Sequence, residues 1–188
     1  MDYQEITRED CAEAMARILM VLSRIVLEPQ DNSSDYEKAQ IAFNAFAEGV
    51  DYPGAVFQEV IFDEEFEREF AKLFYGVGDT TIGLTHSFWS GGLIAVAGEK
   101  TREAFKIYHD SGLSNTSTLP DDHLAIELTF LSHLLAQNKV KEAQGFASEE
   151  VLQWWRTAQE NINNKTQNGS IKNFFAAVTS ALEFVERM

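Results

Sequence analysis

The chain is short of cysteine, proline and positive charge, and each shortage closes off a class of function. Cys11 is the only cysteine in 188 residues. It can form no disulfide within the chain and no all-cysteine metal site, and a reducing cytoplasm is the compartment that fits. Only three prolines interrupt the chain, which leaves long stretches free for helix. Fifteen Lys and Arg stand against thirty Asp and Glu, a formal net charge of -15. Phosphate binding needs a basic surface, so a nucleic-acid partner is disfavoured. A cationic partner, such as a peptide carrying Arg or Lys, is favoured, although excess acid also serves solubility alone. Long apolar runs are missing as well. The most apolar early stretch, Ile18 to Leu27, is broken by Arg24 and is too short to span a bilayer. The start, Met1-Asp2-Tyr3-Gln4-Glu5, is acidic where a secretory signal is basic. The expectation is a cytoplasmic protein without membrane insertion.

Two catalytic signatures are also lacking. No Gly-x-Ser-x-Gly elbow exists for a nucleophilic serine. The glycine-rich segment Gly76 to Gly83 lacks the Gly-Lys-Ser/Thr ending of a phosphate loop.

What is present is helical and aromatic. Hydrophobic residues make up 45% of the chain, with fourteen Phe, enough to build a core. Thr7-Arg8-Glu9-Asp10 is a capping-box start. From there Cys11, Met15, Ile18, Leu19, Leu22, Ile25 and Val26 recur at helical spacing, up to Pro29. Ser34-Asp35-Tyr36-Glu37 opens a second helix, with Ile41, Ala42, Ala45 and Phe46 expected inside and Gly49 as its stop. Asp51-Tyr52-Pro53-Gly54 is a turn. The segment from Asp63 crowds acids into its first turns, lines Phe66, Phe70, Leu73 and Phe74 on one face, and ends at Gly76. Ser87-Phe88-Trp89 falls outside any clear periodicity, and Trp89 is by default a core residue. Glu99 to Ser111 is predicted helical, with Ala104, Phe105, Ile107 and Tyr108 apolar and Gly112 as cap. Helices are also expected from Pro120 to about Gln137, over Val140 to Phe146, and from Ser148 through Trp154 and Trp155. Asn161 to Gly169 is expected to be a loop. Ser170 is expected to cap a last helix through Ile171, Phe174, Phe175, Val178, Leu182 and Val185. No alternating strand and no internal repeat is visible. The class is all-α, with residues 1–188 forming one globular multi-helix domain.

The stretch Leu119-Pro120-Asp121-Asp122-His123-Leu124-Ala125-Ile126-Glu127-Leu128 carries the most chemistry. Pro120 suits a first helical turn, and Asp121 and Asp122 would then meet the helix dipole favourably. His123 and Glu127, four apart, share one face. Leu124, Leu128, Leu131 and Leu135 form the apolar stripe beside them. From the residues alone, a capped helix with a hydrogen-bonded histidine is the ordinary explanation. A metal site of Asp121, Asp122, His123 and Glu127, serving a metal-dependent hydrolase, is an alternative. His133 lies about three turns from His123 and could not share its ion, so His86 or His109 would have to be brought in by the fold. A helical protein-interaction module is a third possibility.

The order of these elements resembles the TorD/DmsD/NarJ family of chaperones for molybdenum redox enzymes. The resemblance rests on Leu73-Phe74-Tyr75-Gly76, Ser87-Phe88-Trp89, and Tyr108 with Ser111-Gly112-Leu113. It continues through Pro120-Asp121-Asp122-His123-Leu124 and Glu127-Leu128 with Phe130-Leu131. The layout from Phe146 through Trp154-Trp155 to Phe174-Phe175 is similar too. The resemblance thus runs from about Phe66 to Met188. One departure stands out: Leu84-Thr85-His86 occupies the place of the family's usual Pro-Pro, so a different local loop is expected. The resemblance implies a TorD-like domain and a non-enzymatic role, with no catalytic residue, metal or cofactor. It implies binding of the twin-arginine leader, or another segment, of an apo-molybdoenzyme catalytic subunit of the dimethyl sulfoxide reductase type. Assistance with cofactor insertion, assembly and twin-arginine export would follow. It also implies a monomer or a domain-swapped dimer, and possible guanine nucleotide binding. The peptide site expected on this basis comprises Tyr75, Ser87, Phe88, Trp89, Pro120, Asp121, Asp122, His123 and Glu127, with Leu84 as a further wall. Asp121 and Asp122 would accept arginine hydrogen bonds. His123 would orient a carboxylate or bind backbone and make affinity pH-dependent. Phe88 and Trp89 would pack on the apolar segment.

Overall fold

The computed structural model describes residues 8–30, 33–76, 81–91 and 98–188. Thr7 of the expected first cap, residues 77–80 of the Gly76–Gly83 segment and Gly92 lie outside them. Nine α-helices and no extended sheet occur among the described residues: α1 (Arg8–Leu27), α2 (Ser33–Gly49), α3 (Glu64–Phe74), α4 (His86–Gly91), α5 (Glu99–Asp110), α6 (Leu124–Ala136), α7 (Val140–Phe146), α8 (Leu152–Lys165) and α9 (Gly169–Arg187). The fold is all-α.

The centre is a helix pair distant in sequence. All seven expected apolar positions of α1 are buried. They pack on α6, whose Leu124, Leu128, Leu131 and Leu135 are buried as expected. Polar pins fix the register of the pair. The Ser23 hydroxyl donates to the Ala125 carbonyl at 2.8 Å and the Ser132 hydroxyl to that of Ala16 at 2.7 Å. Helix α9 also runs through the core, with all six of its expected apolar positions buried. In α3, Phe66, Phe70 and Leu73 are buried, and Asp63 caps the helix by accepting the Phe66 N–H at 2.9 Å.

Several expectations need correction. In α2 the buried stripe is Tyr36, Ala39, Phe43 and Ala47, whereas Ile41 and Ala45 face solvent. Aromatic rings bury more area than isoleucine, and Phe43 stacks on Phe57 at 4.0 Å between ring centres; that contact sets which face turns inward. Phe105 of α5 is likewise exposed, and Ala104 and Tyr108 take the buried side. Most of the loop expected over Asn161–Gly169 is helix, because α8 continues to Lys165. Ile162 is fully buried there, and its burial outweighs the weak helix propensity of the asparagines. Asn168, not Ser170, caps α9, accepting the Ile171 N–H at 3.0 Å. The break expected near Ser148 is a wide π-helical turn, Ala147–Val151, joining α7 to α8.

Candidate functional site

The groove begins with an extended segment, residues 81–85, laid between helix ends. The Ile82 N–H donates to the Leu73 carbonyl at 2.7 Å. The Leu124 N–H donates to Leu84 at 2.8 Å and the His86 N–H to Asp122 at 3.0 Å. These last two form a single antiparallel bridge between Thr85 and His123. The two motifs singled out in the sequence are therefore tied together through their backbones. The Ser87-Phe88-Trp89 element, outside any clear periodicity in the sequence, lies in the short helix α4.

The organising stretch differs from its expected form. Helix α6 starts at Leu124, not Pro120, and His123 is its N-cap. Pro120 to His123 is a turn closed by the His123 N–H on the Pro120 carbonyl at 3.0 Å. A second clamp comes from the Tyr108 hydroxyl, which donates to the Asp121 carbonyl at 2.8 Å.

The expected cluster of exposed acids is divided by this geometry. Asp122 is 1% exposed. Its carboxylate accepts the Ser87 N–H at 2.7 Å, the Thr101 hydroxyl at 2.8 Å and a short bond from the Ser87 hydroxyl. It therefore braces α4 and α5 against the turn and has no free oxygen edge facing a ligand. Glu127 is fully buried and accepts the Trp154 indole N–H at 3.2 Å. Burial, reinforced by the Asp122 charge, pushes its carboxyl well above the usual range, against the smaller opposing effect of the Trp154 hydrogen bond. Only Asp121 keeps part of its surface in solvent. His123 is mostly buried, and desolvation lowers its pKa to about 4 despite the Asp122 charge nearby. Its ring is neutral at pH 7, so the expected pH response near neutrality is not available to it. Its Nδ1 accepts the Ala125 N–H at 3.2 Å, which leaves the ring proton on Nε2.

A groove of about 500 Å³ opens over this frame. Tyr75, Leu84, Phe88, Pro120, Asp122 and His123 line it, so six of the residues chosen from sequence meet at one place. Ser87, Trp89, Asp121 and Glu127 are not among its walls. Trp89 supports from behind: its indole N–H donates to the Gly83 carbonyl at 2.9 Å and its ring meets Phe88 edge to face at 5.1 Å. The sequence reading missed Leu27 and Phe74, at the ends of α1 and α3, which complete the apolar wall. The Tyr75 hydroxyl ties those ends together by donating to the Leu27 carbonyl at 3.2 Å. Thr81, also at the groove, has a buried hydroxyl with no hydrogen-bond partner among the described residues. Within the described residues no group of three or more His, Cys, Asp or Glu side chains could hold a metal ion. Asp122 and Glu127 are turned to Ser87, Thr101 and Trp154, so the proposed metal-site geometry is not formed.

Residues 43–165 match the model of a protein family described as nitrate reductase delta subunit. The chain belongs to this family. No curated protein and no solved structure matches the chain. The family is one of redox-enzyme maturation chaperones rather than catalysts, and its partner is, in general, a molybdoenzyme subunit. The matched region contains every residue chosen for the site. It begins earlier than the resemblance seen in the sequence and ends before α9. The α1 wall of the groove, Val26 and Leu27, falls outside it.

Proposed function

We propose that this chain is a cytoplasmic chaperone dedicated to one molybdenum-cofactor oxidoreductase of the dimethyl sulfoxide reductase type. In this proposal it holds the twin-arginine leader, or another segment of the apo catalytic subunit, during cofactor insertion and assembly, before export. The single observation that carries the proposal is the apolar groove on which Tyr75, Leu84, Phe88, Pro120 and His123 converge. An apolar client segment would lie on Phe88, Leu84 and Leu27, shielded from water and from premature association. The neutral His123 would offer Nε2–H to a peptide carbonyl. Arginines flanking the segment would be drawn by the net charge of -15. Asp121 serves at the rim, while Asp122 holds the frame. No bond is made or broken.

Titration of the client's leader peptide by calorimetry tests this reading. Phe88→Ala should weaken binding at least tenfold, since a buried aromatic anchor is a typical hot spot. Phe105→Ala, on an exposed face of α5, should leave it unchanged. Equal affinity for both variants, with circular dichroism intact, would remove the groove from the proposal.

A further inference from the structure

A second surface lies beyond the other end of α3. Tyr75 of the groove follows that helix and Phe62 precedes it, with 11 helical residues between them, about 16 Å at 1.5 Å per residue. On this side three large apolar side chains stand in solvent: Ile41 at 64%, Ile61 at 58% and Val56 at 43% exposure. Next to them is a depression of about 520 Å³ lined by Tyr36, Glu37, Gln40, Glu59, Val60 and Phe62. Ile41 is one helical turn beyond Glu37, and Ile61 sits between Val60 and Phe62. The Tyr36 and Phe62 rings meet edge to face at 5.6 Å, while Glu37 and Glu59 are exposed carboxylates. The neighbouring cation Lys38 is engaged by Asp35 at 2.9 Å.

The backbone here is held yet open. Residues 55–62 are neither helix nor sheet and make no backbone–backbone hydrogen bond among the described residues. Side chains pin them instead. Asn44 bonds both the N–H and the carbonyl of Phe57, Tyr36 donates to the Gln58 carbonyl, Asn173 to that of Glu59, and Ser170 accepts the Ile61 N–H. These pins hold Val56 and Ile61 at the surface, where an apolar partner segment packs on them.

We infer that the face made by α2 and residues 55–62 is a second docking surface, which takes an extended client segment carrying arginine or lysine among apolar residues. Charge complementarity selects this occupant. Guanidinium groups pair with carboxylates and stack on aromatic rings, and the depression presents the exposed Glu37 and Glu59 carboxylates beside the partly exposed Phe62 ring. A second copy of this chain is a poor fit, because a two-fold contact would set Glu37 and Glu59 against their own counterparts. Two grips on one client also raise its effective concentration at each.

The test is fluorescence polarisation with a labelled peptide of alternating isoleucine and arginine, beside its glutamate-for-arginine counterpart. The full chain should bind the first peptide and not the second. The double variant Glu37→Lys, Glu59→Lys should weaken binding tenfold or more. The neutral pair Glu37→Gln, Glu59→Gln and the single variant Ile61→Ser should each weaken it several-fold. The loss caused by the glutamate variants should persist in a Phe88→Ala background, where the groove is disabled, so the fate of this surface is separate from that of the groove. Phe105→Ala, on an exposed face of α5, should leave binding unchanged. Absence of binding, equal binding of both peptides, or loss only in Phe88→Ala would overturn the inference. So would a dimer in sedimentation that Ile61→Ser dissolves while peptide binding is unaffected.

Discussion

At the scale of single residues, two adjacent aspartates do different work. Removing the Asp122 carboxylate would leave the Ser87 N–H, the Ser87 hydroxyl and the Thr101 hydroxyl without their acceptor. Stripping buried donors of a charged partner is costly. Asp122→Ala should therefore lose about 3 kcal/mol in urea unfolding, whereas Asp121→Ala should change stability by less than about 0.5 kcal/mol. The Tyr108 clamp onto residue 121 uses only backbone and would survive. The buried titrating groups give opposite pH signs. For His123 the folded pKa of about 4 lies below the ordinary 6.5. The folded state thus resists a proton that the unfolded state accepts. Its contribution is complete above pH 6.5 and is lost as pH falls towards 4, a loss of roughly 3 kcal/mol. Glu127 has its folded pKa raised, so its contribution is complete below the ordinary carboxylate pKa and is lost as pH rises through the raised value. Glu127→Gln cannot ionise and keeps an oxygen for the Trp154 N–H. Its unfolding free energy, followed against pH, should lack the decline that begins above the ordinary carboxylate pKa while keeping the loss at low pH from His123. An unchanged decline in Glu127→Gln would mean that another group titrates there.

At the scale of elements, the groove depends on how closely 81–85 and α4 approach. A Cβ added at Gly83 would run into the Phe88 ring at its Cγ and Cβ, atoms that cannot swing aside as a side-chain tip can. Gly83→Ala should cost about 1–3 kcal/mol by overpacking and weaken peptide binding together with thermal stability. A variant with normal melting temperature and normal binding would show that α4 is free to shift. Legibility in the sequence varied with the kind of signal. The stripes of α1, α6 and α9 were readable because a helix buried along one or more faces repeats its apolar residues at 3.6-residue spacing. Ile41 and Phe105 misled because their neighbours supply bulkier or better-placed contacts, Phe43 on Phe57 and Tyr108 on Phe130 at 4.5 Å. The start of α6 was placed too early because proline followed by acids reads as a first turn, whereas here the turn is spent on the bridge to Thr85.

At the scale of the whole molecule, the site is assembled from parts far apart in the chain: the ends of α1 and α3, the extended segment before α4, and the turn before α6. Spacing could identify Phe88, Pro120 and His123 as unusual. It could not bring Leu27 to their side, because that contact exists only once α1 lies against α6. Nor could it tell that Asp122 points inward, since the side that a turn buries is decided by Ser87 and Thr101 from other elements. The most direct test of the chaperone function assigned to the groove is affinity capture of the full chain from its native host under anaerobic growth, with co-purifying proteins identified by mass spectrometry. Wild type should recover one molybdoenzyme catalytic subunit, and Phe88→Ala should lose it while Phe105→Ala retains it. Recovery of no redox enzyme, or equal recovery with Phe88→Ala, would contradict the groove as the client's holding site.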